Sequence, residues 1–198
     1  MEKEGVIKFN SNWTQTKLVE FELFESLNYW RNSLYELGLI GVNEQGIGFG
    51  NISSRFYKNQ FIISGSGTGN IKILSMDHYS LVTSYNIATN TLHAEGPVTA
   101  SSESLTHASV YESDLSINSV IHVHNQELWG KYINVLPTTD PSVEYGTPAM
   151  AGEVKRLFLS SNLQDIKILI MGGHPDGILT FGNNMDEAAK ILLDLLRN

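Results

Sequence analysis

The 198-residue sequence contains no cysteine. Disulfide frameworks, thiolate metal sites and cysteine nucleophiles are therefore excluded, and any transition-metal site must use histidine and carboxylate side chains. Positive charge is also scarce, since 13 Lys and Arg stand against 21 Asp and Glu, a net charge of 13 − 21 = −8. This sign disfavours nucleic-acid binding, because a protein that follows a chain of phosphates needs a basic surface.

Long apolar runs are absent as well. No stretch approaches the roughly 20 consecutive apolar residues of a membrane span, and the first residues lack the basic end and apolar run of a signal peptide. We therefore expect a cytoplasmic protein that binds no membrane. The apolar content of 41% is typical of a globular protein, and no repeat or linker divides the chain. A single domain over residues 1–198 is predicted.

The spacing of apolar residues predicts helices and strands in mixed order. Residues 14–39 have apolar residues at intervals of three or four, a cap at Thr14 or Thr16 and an end at Gly38 and Gly41, which is typical of an amphipathic helix. Further helices are predicted near 102–113, 125–132, 146–160 and 184–197, and strands near 49–56, 60–64, 79–86, 91–94, 118–124, 167–171 and 177–181. This order favours an α/β fold in which helices cover a central, mainly antiparallel sheet.

Two of the six histidines, His122 and His124, lie on one predicted strand. Side chains alternate between the faces of a strand, so both rings point the same way, about 6 to 7 Å apart along the chain. Ile121 and Val123 would then face the core. Two such imidazoles can bind one divalent ion, for example zinc. The alternative is a strand whose polar face happens to carry two histidines.

Glu103 follows two serines at the start of a predicted helix. Ser101 or Ser102 is expected to be the N-cap, which would place Glu103 in the first turn, where free amide groups and the helix dipole favour a charged carboxylate. Glu103 would then act as a base. His107 lies four residues later on the same helix face and is either its partner or a spare ligand. The structural alternative is a capping role for this segment and a buried, hydrogen-bonded His107.

His174 lies in a turn between two predicted strands, flanked by Gly173 and Pro175. Functional residues are often held on loops by a rigid scaffold, and a catalytic zinc site commonly has three protein ligands. His174 is therefore a candidate third ligand.

Two glycine-rich turns, at residues 46–53 and 64–69, can bring backbone amide groups close to a phosphate or carboxylate. Neither matches a nucleotide-binding fingerprint, and ordinary hairpin turns are the alternative. No Lys or Arg lies inside either turn, so a metal and the amide groups would have to attract an anionic substrate.

Taken together and in this order, these elements resemble the class II aldolase/adducin family, which includes fuculose-phosphate aldolase and ribulose-phosphate epimerase. The resemblance extends from the first helix to the last. It rests on Gly50-Asn51-Ile52-Ser53, the turn at Ser66 and Gly67, Ser101-Ser102-Glu103 with His107, His122-Val123-His124, and the His174 turn followed by Gly177.

The resemblance implies a three-layer α/β/α, class II aldolase-like fold. It implies a metal-dependent, aldolase-type lyase that acts on a small sugar or sugar phosphate through a metal-stabilised enediolate. The resemblance also implies a homo-oligomeric assembly, a homotetramer in which a neighbouring chain can complete the site. By motif, Glu103 is the catalytic acid/base, the metal (Zn²⁺, or Mn²⁺ or Co²⁺) binds to His122, His124 and His174, and the substrate binds at Asn51, Ser66, Gly67, Ser101 and Ser102.

Three departures from the family pattern concern the substrate. Pro175 and Asp176 follow His174 where the family has glycine, Gly48 replaces a hydroxyl residue, and the segment between His124 and His174 is short. One alternative is therefore a metal-dependent epimerase, dehydratase or decarboxylase, with acid/base groups such as Tyr145 or Asp140. Another is an adducin-like interaction module without catalysis.

Overall fold

The computed structural model describes residues 5–197. Within them, eight strands form one sheet in the order β1-β7-β6-β5-β4-β8-β10-β9, and two short strands form a separate ribbon, β2-β3. The strands are β1 Asn10–Gln15, β2 Gly41–Val42, β3 Gly48–Phe49, β4 Asn51–Tyr57, β5 Gln60–Ser64, β6 Tyr79–Asn86, β7 Thr91–Gly96, β8 Ser119–His124, β9 Ile168–Ile170 and β10 Gly177–Gly182.

Helices cover both faces of this sheet. They are α1 Phe24–Glu36, α2 Ser104–Ser113, α3 Gln126–Tyr132, α4 Pro148–Ser160, α5 Leu163–Ile166 and α6 Met185–Leu196. Apolar residues of α2 and α4 pack with one face of the sheet in one core cluster, and those of α1 and α6 pack with the other face in a second cluster. The predicted three-layer α/β/α fold is thus confirmed.

The sheet is mixed and mainly antiparallel. Among the described strands, β1 and β7 form the only parallel pair, and every other neighbouring pair is antiparallel. This agrees with the predicted mainly antiparallel sheet, because one edge strand alone runs parallel to its neighbour. Within residues 5–197, no helix has both the length and the apolar content needed to cross a bilayer.

The first helix is shorter than predicted. Residues 14–39 were expected to be helical with a cap at Thr14 or Thr16, but residues 10–15 form β1 and α1 begins at Phe24. The polar residues of β1 are exposed, and their backbone pairs with β7, which supplies hydrogen bonds that a helix would otherwise provide. Leu18 and Phe21 nevertheless pack against the second core. The apolar spacing therefore indicated burial, and it did not locate the start of the helix.

The strands around the candidate site agree closely with their predicted ranges. Ile121 and Val123 of β8 are fully buried in the second core, as the alternation along the strand predicted. In the antiparallel register His122 lies opposite Asn51 of β4, and His124 lies opposite Gly177 of β10. These three strands therefore bring Asn51, the two histidines and the turn before Gly177 to one end of the sheet.

Candidate functional site

The three histidines singled out from the sequence lie together. One nitrogen from each of His122, His124 and His174 falls within 4.8 Å of the other two. The Nε2 atoms of His124 and His174 are 2.8 Å apart. His174 lies in the turn between β9 and β10, where Gly177 pairs with His124 of β8 and its N–H donates to the His174 carbonyl oxygen at 3.0 Å. The Pro175-Asp176 insertion is accommodated in that turn, where Asp176 has a φ of +66°.

His122 and His174 are buried and His124 is partly buried, and the pKa of each ring is lowered. Burial lowers the pKa of His122 well below its usual value, and the neighbouring His124, His174 and His107 lower it further. Burial also lowers the pKa of His124 to about 4. The pKa of His174 falls well below its usual value, through burial first and then through His124 and Lys8. Neutral imidazoles at neutral pH are the form that binds a metal.

The surroundings of His122 fit a metal ligand. Its Nε2 atom is buried and has no hydrogen-bond partner within residues 5–197, and the same is true of Asn51 Oδ1. The Asn51 amide nitrogen lies 3.3 Å from His122 Nδ1. The two ends of an amide are assigned from their contacts, and a half-turn would place the oxygen against Nδ1–H. His122 would then present the lone pair of Nε2 to an ion, because an oxygen of Asn51 that accepts from Nδ1–H keeps the proton on the other nitrogen.

Aromatic neighbours and a glycine hold the rings in place. Phe49 stacks on His124 with ring centres 5.2 Å apart, and Tyr145 packs edge-on against His174 at 4.4 Å. A side chain at Gly177 would begin 2.6 Å from His174 Cδ2 and 3.3 Å from His122 Nε2. Glycine is therefore required at this position by the close approach of two rings.

Glu103 lines the same cavity as the histidines. This cavity has a volume of about 190 Å³, and His122, His174, Tyr145 and the two glycine-rich turns form its walls. Glu103 is only 2% exposed. The predicted position of the cap is wrong, because α2 begins at Ser104 and Glu103 itself is the residue that precedes the helix.

Ser101 explains this shift of the helix start. Its Oγ accepts the Glu103 N–H at 3.3 Å, while its carbonyl oxygen accepts the Ser104 N–H at 3.1 Å. These bonds form a tight turn before the helix in place of a serine cap. Glu103 still lies at the helix N-terminus, where amide groups favour a negative charge.

The residues predicted to bind an anionic group also border this cavity. They are Asn51, Ser66, Gly67, Ser101 and Ser102. The Ser66 N–H donates to the Thr99 carbonyl oxygen at 2.8 Å, so its hydroxyl is the group available for a ligand. Gly67 has a φ of +74°, which glycine adopts without strain. This arrangement can surround a phosphate or carboxylate with hydroxyl and amide donors.

His107 lies outside the group of three histidines. It is fully buried, and its Nδ1 lies 2.7 Å from Ser53 Oγ, which in turn lies 2.7 Å from the Tyr111 hydroxyl. Burial lowers the pKa of His107 to about 3. The geometry favours the structural alternative of a buried, hydrogen-bonded histidine over a spare ligand.

Two features of the site were not found from the sequence. Lys8 lies beside it, with Nζ 3.9 Å from the centre of the Tyr145 ring and 3.1 Å from Glu144 Oε2. A second cavity of about 540 Å³ lies on the other side of His174 and Tyr145, and it also borders His124. No sequence motif marks Lys8, because it reaches the site from a segment without regular structure.

The two alternative acid/base residues differ in position. Tyr145 borders both cavities. Asp140 is exposed and borders neither of them, and the Ser142 side chain and backbone lower its pKa by hydrogen bonding. Tyr145 is therefore the member of this pair that can reach a ligand in the described chain.

Comparison with known proteins agrees with this fold. Residues 41–197 match the family described as the Class II Aldolase and Adducin N-terminal domain. No curated protein sequence matches the chain.

Several solved structures have a similar fold. An L-fuculose 1-phosphate aldolase superposes with a TM-score of 0.67 at 19% identity, covering 91% of this chain and 84% of that one. YgbL from Klebsiella pneumoniae, a candidate aldolase/epimerase/decarboxylase, gives a TM-score of 0.65 at 16% identity, covering 88% and 84%. A sugar-phosphate aldolase from Thermotoga maritima gives 0.56 at 16% identity, covering 87% and 91%. At these identities the similarity establishes the fold alone.

Proposed function

The chain belongs to the class II aldolase and adducin family, and from that premise we propose that it is a metal-dependent lyase of the aldolase type. Its substrate would be a small sugar or sugar phosphate. The assembly implied by the family, a cytoplasmic homotetramer of one such domain per chain, belongs to the same proposal.

One observation carries this proposal. Glu103 and the histidines His122 and His174 border a single cavity, and His124 completes a group whose nitrogens lie within 4.8 Å of one another. Three imidazoles with lowered pKa values, two of them fully buried, beside a buried carboxylate match the donor set of a catalytic zinc site with an acid/base group next to it. An ordinary core would fill this space with apolar side chains, because burying ionisable groups is costly.

The chemistry follows from where each group lies. A divalent metal held by the three histidines would act as a Lewis acid and stabilise negative charge on the substrate oxygens. Glu103 would move the proton at the reacting carbon, since its carboxylate borders the same cavity. Hydroxyl and amide donors of the glycine-rich turns would hold the anionic end of the substrate and so orient the reacting end.

A second candidate is an epimerase, dehydratase or decarboxylase with the same metal. The position of Tyr145 supports this second candidate. Tyr145 borders both cavities and packs against His174, where it can act as an acid or base. The third hypothesis is a non-catalytic, adducin-like interaction module. If it is correct, the purified protein should take up no stoichiometric metal. Metal analysis, followed by assays of aldol cleavage, epimerisation and dehydration on a panel of sugar phosphates, separates the three hypotheses.

Replacing Glu103 by Gln tests the role of the carboxylate. We expect turnover to fall by at least about 100-fold, because the amide cannot accept a proton, while the metal content stays unchanged. The matched control is Glu127→Gln, which removes an exposed carboxylate from the first turn of α3. Steady-state kinetics and metal analysis check both variants. A fully active Glu103→Gln protein would contradict the assigned role.

A further inference from the structure

A polar stripe on α1 holds the loop that follows β5. Asn28, Arg31 and Asn32 are spaced by three and four residues and therefore lie on one face of the helix. The Asn28 amide donates to the Leu74 carbonyl oxygen at 2.9 Å, and Asn32 Oδ1 accepts the Leu74 N–H at 3.2 Å. Arg31 lies between them and contacts the part of the loop nearest the cavity.

The hydrogen bonds of Arg31 within residues 5–197 all go to backbone carbonyl groups, and its guanidinium also lies 5.1 Å from the centre of the Tyr35 ring. Its guanidinium donates to the Thr68 carbonyl oxygen at 2.8 Å, to the Lys72 carbonyl oxygen at 3.0 Å and to the Ile71 carbonyl oxygen. The planar fork of an arginine is needed to reach three acceptors at once.

The charge of Arg31 is buried without a counterion. The side chain is 1% exposed, and within residues 5–197 no carboxylate pairs with it, the ionisable groups closest in effect being the phenols of Tyr79 and Tyr35. A guanidinium keeps its proton even when burial lowers its pKa. Since burying an unpaired cation is costly, an apolar side chain would suit simple packing better. The retained charge needs another explanation.

The other side of the same loop forms a wall of the catalytic cavity. Residues 65–69 border it, together with Glu103 and His122, and among the described residues that line it there is no lysine or arginine. Because the peptide after Thr68 is trans, its carbonyl group faces Arg31 while the N–H of Gly69 points the opposite way. Arg31 therefore fixes the orientation of a peptide dipole in the cavity wall and adds a positive charge behind it.

We propose that Arg31 is a positioning residue for the anionic end of the substrate. Arg31 acts through the carbonyl groups of Thr68, Ile71 and Lys72. It holds the turn at Ser66 and Gly67 in an anion-accepting conformation and makes the wall electropositive. This inference rests on the proposed function and adds to it a residue that supports the anion-binding turn. It also explains how a chain with a net charge of −8 attracts an anion.

The test measures the affinity of the zinc-loaded protein for inorganic phosphate by calorimetry. Three variants are compared with the parent: Arg31→Met, which loses charge and fork; Arg31→Lys, which keeps the charge; and Asn32→Ala, the matched control, which loses a neutral bond to the same loop. We expect the dissociation constant to rise roughly ten-fold or more in Arg31→Met, by a smaller factor in Arg31→Lys, and hardly at all in Asn32→Ala. Zinc content and thermal unfolding identify a variant that fails to fold.

Each other outcome overturns the inference. Unchanged affinity in Arg31→Met excludes any role, and equal losses in the Met and Lys variants exclude the role of the charge, because both lose the fork. If Arg31→Met does not fold, the phosphate affinities of Arg31→Lys and Asn32→Ala are compared instead. Equal affinities of these two variants would contradict the proposal. Phosphate bound directly to zinc would not respond to Arg31.

The result also separates this inference from the proposed function. A parent protein that takes up zinc but binds no phosphate would overturn the role of Arg31 and leave the metal chemistry intact. Phosphate affinity that depends on Arg31, in a protein that Glu103→Gln leaves fully active, would overturn the proposed role of Glu103 alone.

Discussion

Single atoms decide whether the three histidines can meet. Gly177 has no side chain, and the space this leaves is occupied by the edges of His174 and His122. Asn51 contacts Nδ1 of His122, the ring nitrogen that would not bind the metal, and so orients the ring. The metal site therefore depends on two residues that would not themselves bind the ion.

Gly177→Ala tests this dependence. The added Cβ would begin 2.6 Å from His174 Cδ2, so the ring must move, and we expect zinc affinity to fall by roughly ten-fold or more, as for other residues that support a ligand. Competition with a chromophoric chelator measures the affinity. The control is Gly152→Ala in α4, where a Cβ meets nothing within 4 Å. That variant should bind zinc normally and gain roughly 0.5–1 kcal/mol of stability. Unchanged zinc affinity in Gly177→Ala would contradict the argument.

At the scale of elements, α6 supports the strands that carry the site. It packs on β8 and β10 through Ala188, Ala189 and Leu192, and its N-terminus is capped by Asn184, whose side chain accepts the Glu187 N–H at 2.9 Å. The sequence predicted this helix from about residue 184. It also predicted the neighbouring strands, because their apolar alternation depends on nearby residues alone.

Asn184→Ala should lower the free energy of unfolding by about 1 kcal/mol, since one amide at the helix start loses its acceptor. Urea unfolding measures this change. Asn162→Ala is the matched control, because Asn162 precedes α5 without a side-chain cap bond and should change stability by only a few tenths of a kcal/mol. If the two substitutions lower the free energy of unfolding equally, the side-chain cap of Asn184 does not stabilise the protein.

At the scale of the whole molecule, buried neutral histidines link stability to pH. Burial lowers the pKa of His107 to about 3 and that of His124 to about 4, whereas an unfolded chain titrates near the ordinary histidine value of 6.5. Between these values the unfolded state binds more protons than the folded state. In the metal-free protein, the contribution of these histidines to the free energy of unfolding is therefore fully present above about pH 6.5, and it is lost as the pH decreases.

His107→Gln should reduce this pH dependence. The wild-type free energy of unfolding should fall by up to roughly 1.4 kcal/mol per pH unit for each such histidine below pH 6.5, and the variant should lack one of these contributions. Urea unfolding between pH 8 and pH 4.5, with a chelator present, gives both slopes, and the values at pH 8 correct for the lost bond to Ser53. Identical slopes would mean that His107 is protonated in the folded state or that its pKa is not lowered.

The sequence by itself determined the features that depend on residues close along the chain. The alternation in β8 put His122 and His124 on one face and Ile121 and Val123 in the core. The absence of cysteine restricted any metal site to histidines and carboxylates. The order of the motifs shared with the class II aldolase/adducin family identified the remaining candidates, which include Glu103 and His174.

Only the tertiary structure decided the features that depend on residues far apart. The register of β4, β8 and β10 brings Asn51, His124 and Gly177 to one end of the sheet. Pairing with β7 placed Thr14 and Gln15 in a strand, although the spacing had predicted that a helix begins at about residue 14. Packing of the whole chain also placed Lys8 beside Tyr145 and Arg31 behind the turn at residues 65–69, because a residue's neighbours in space depend on segments far apart in sequence.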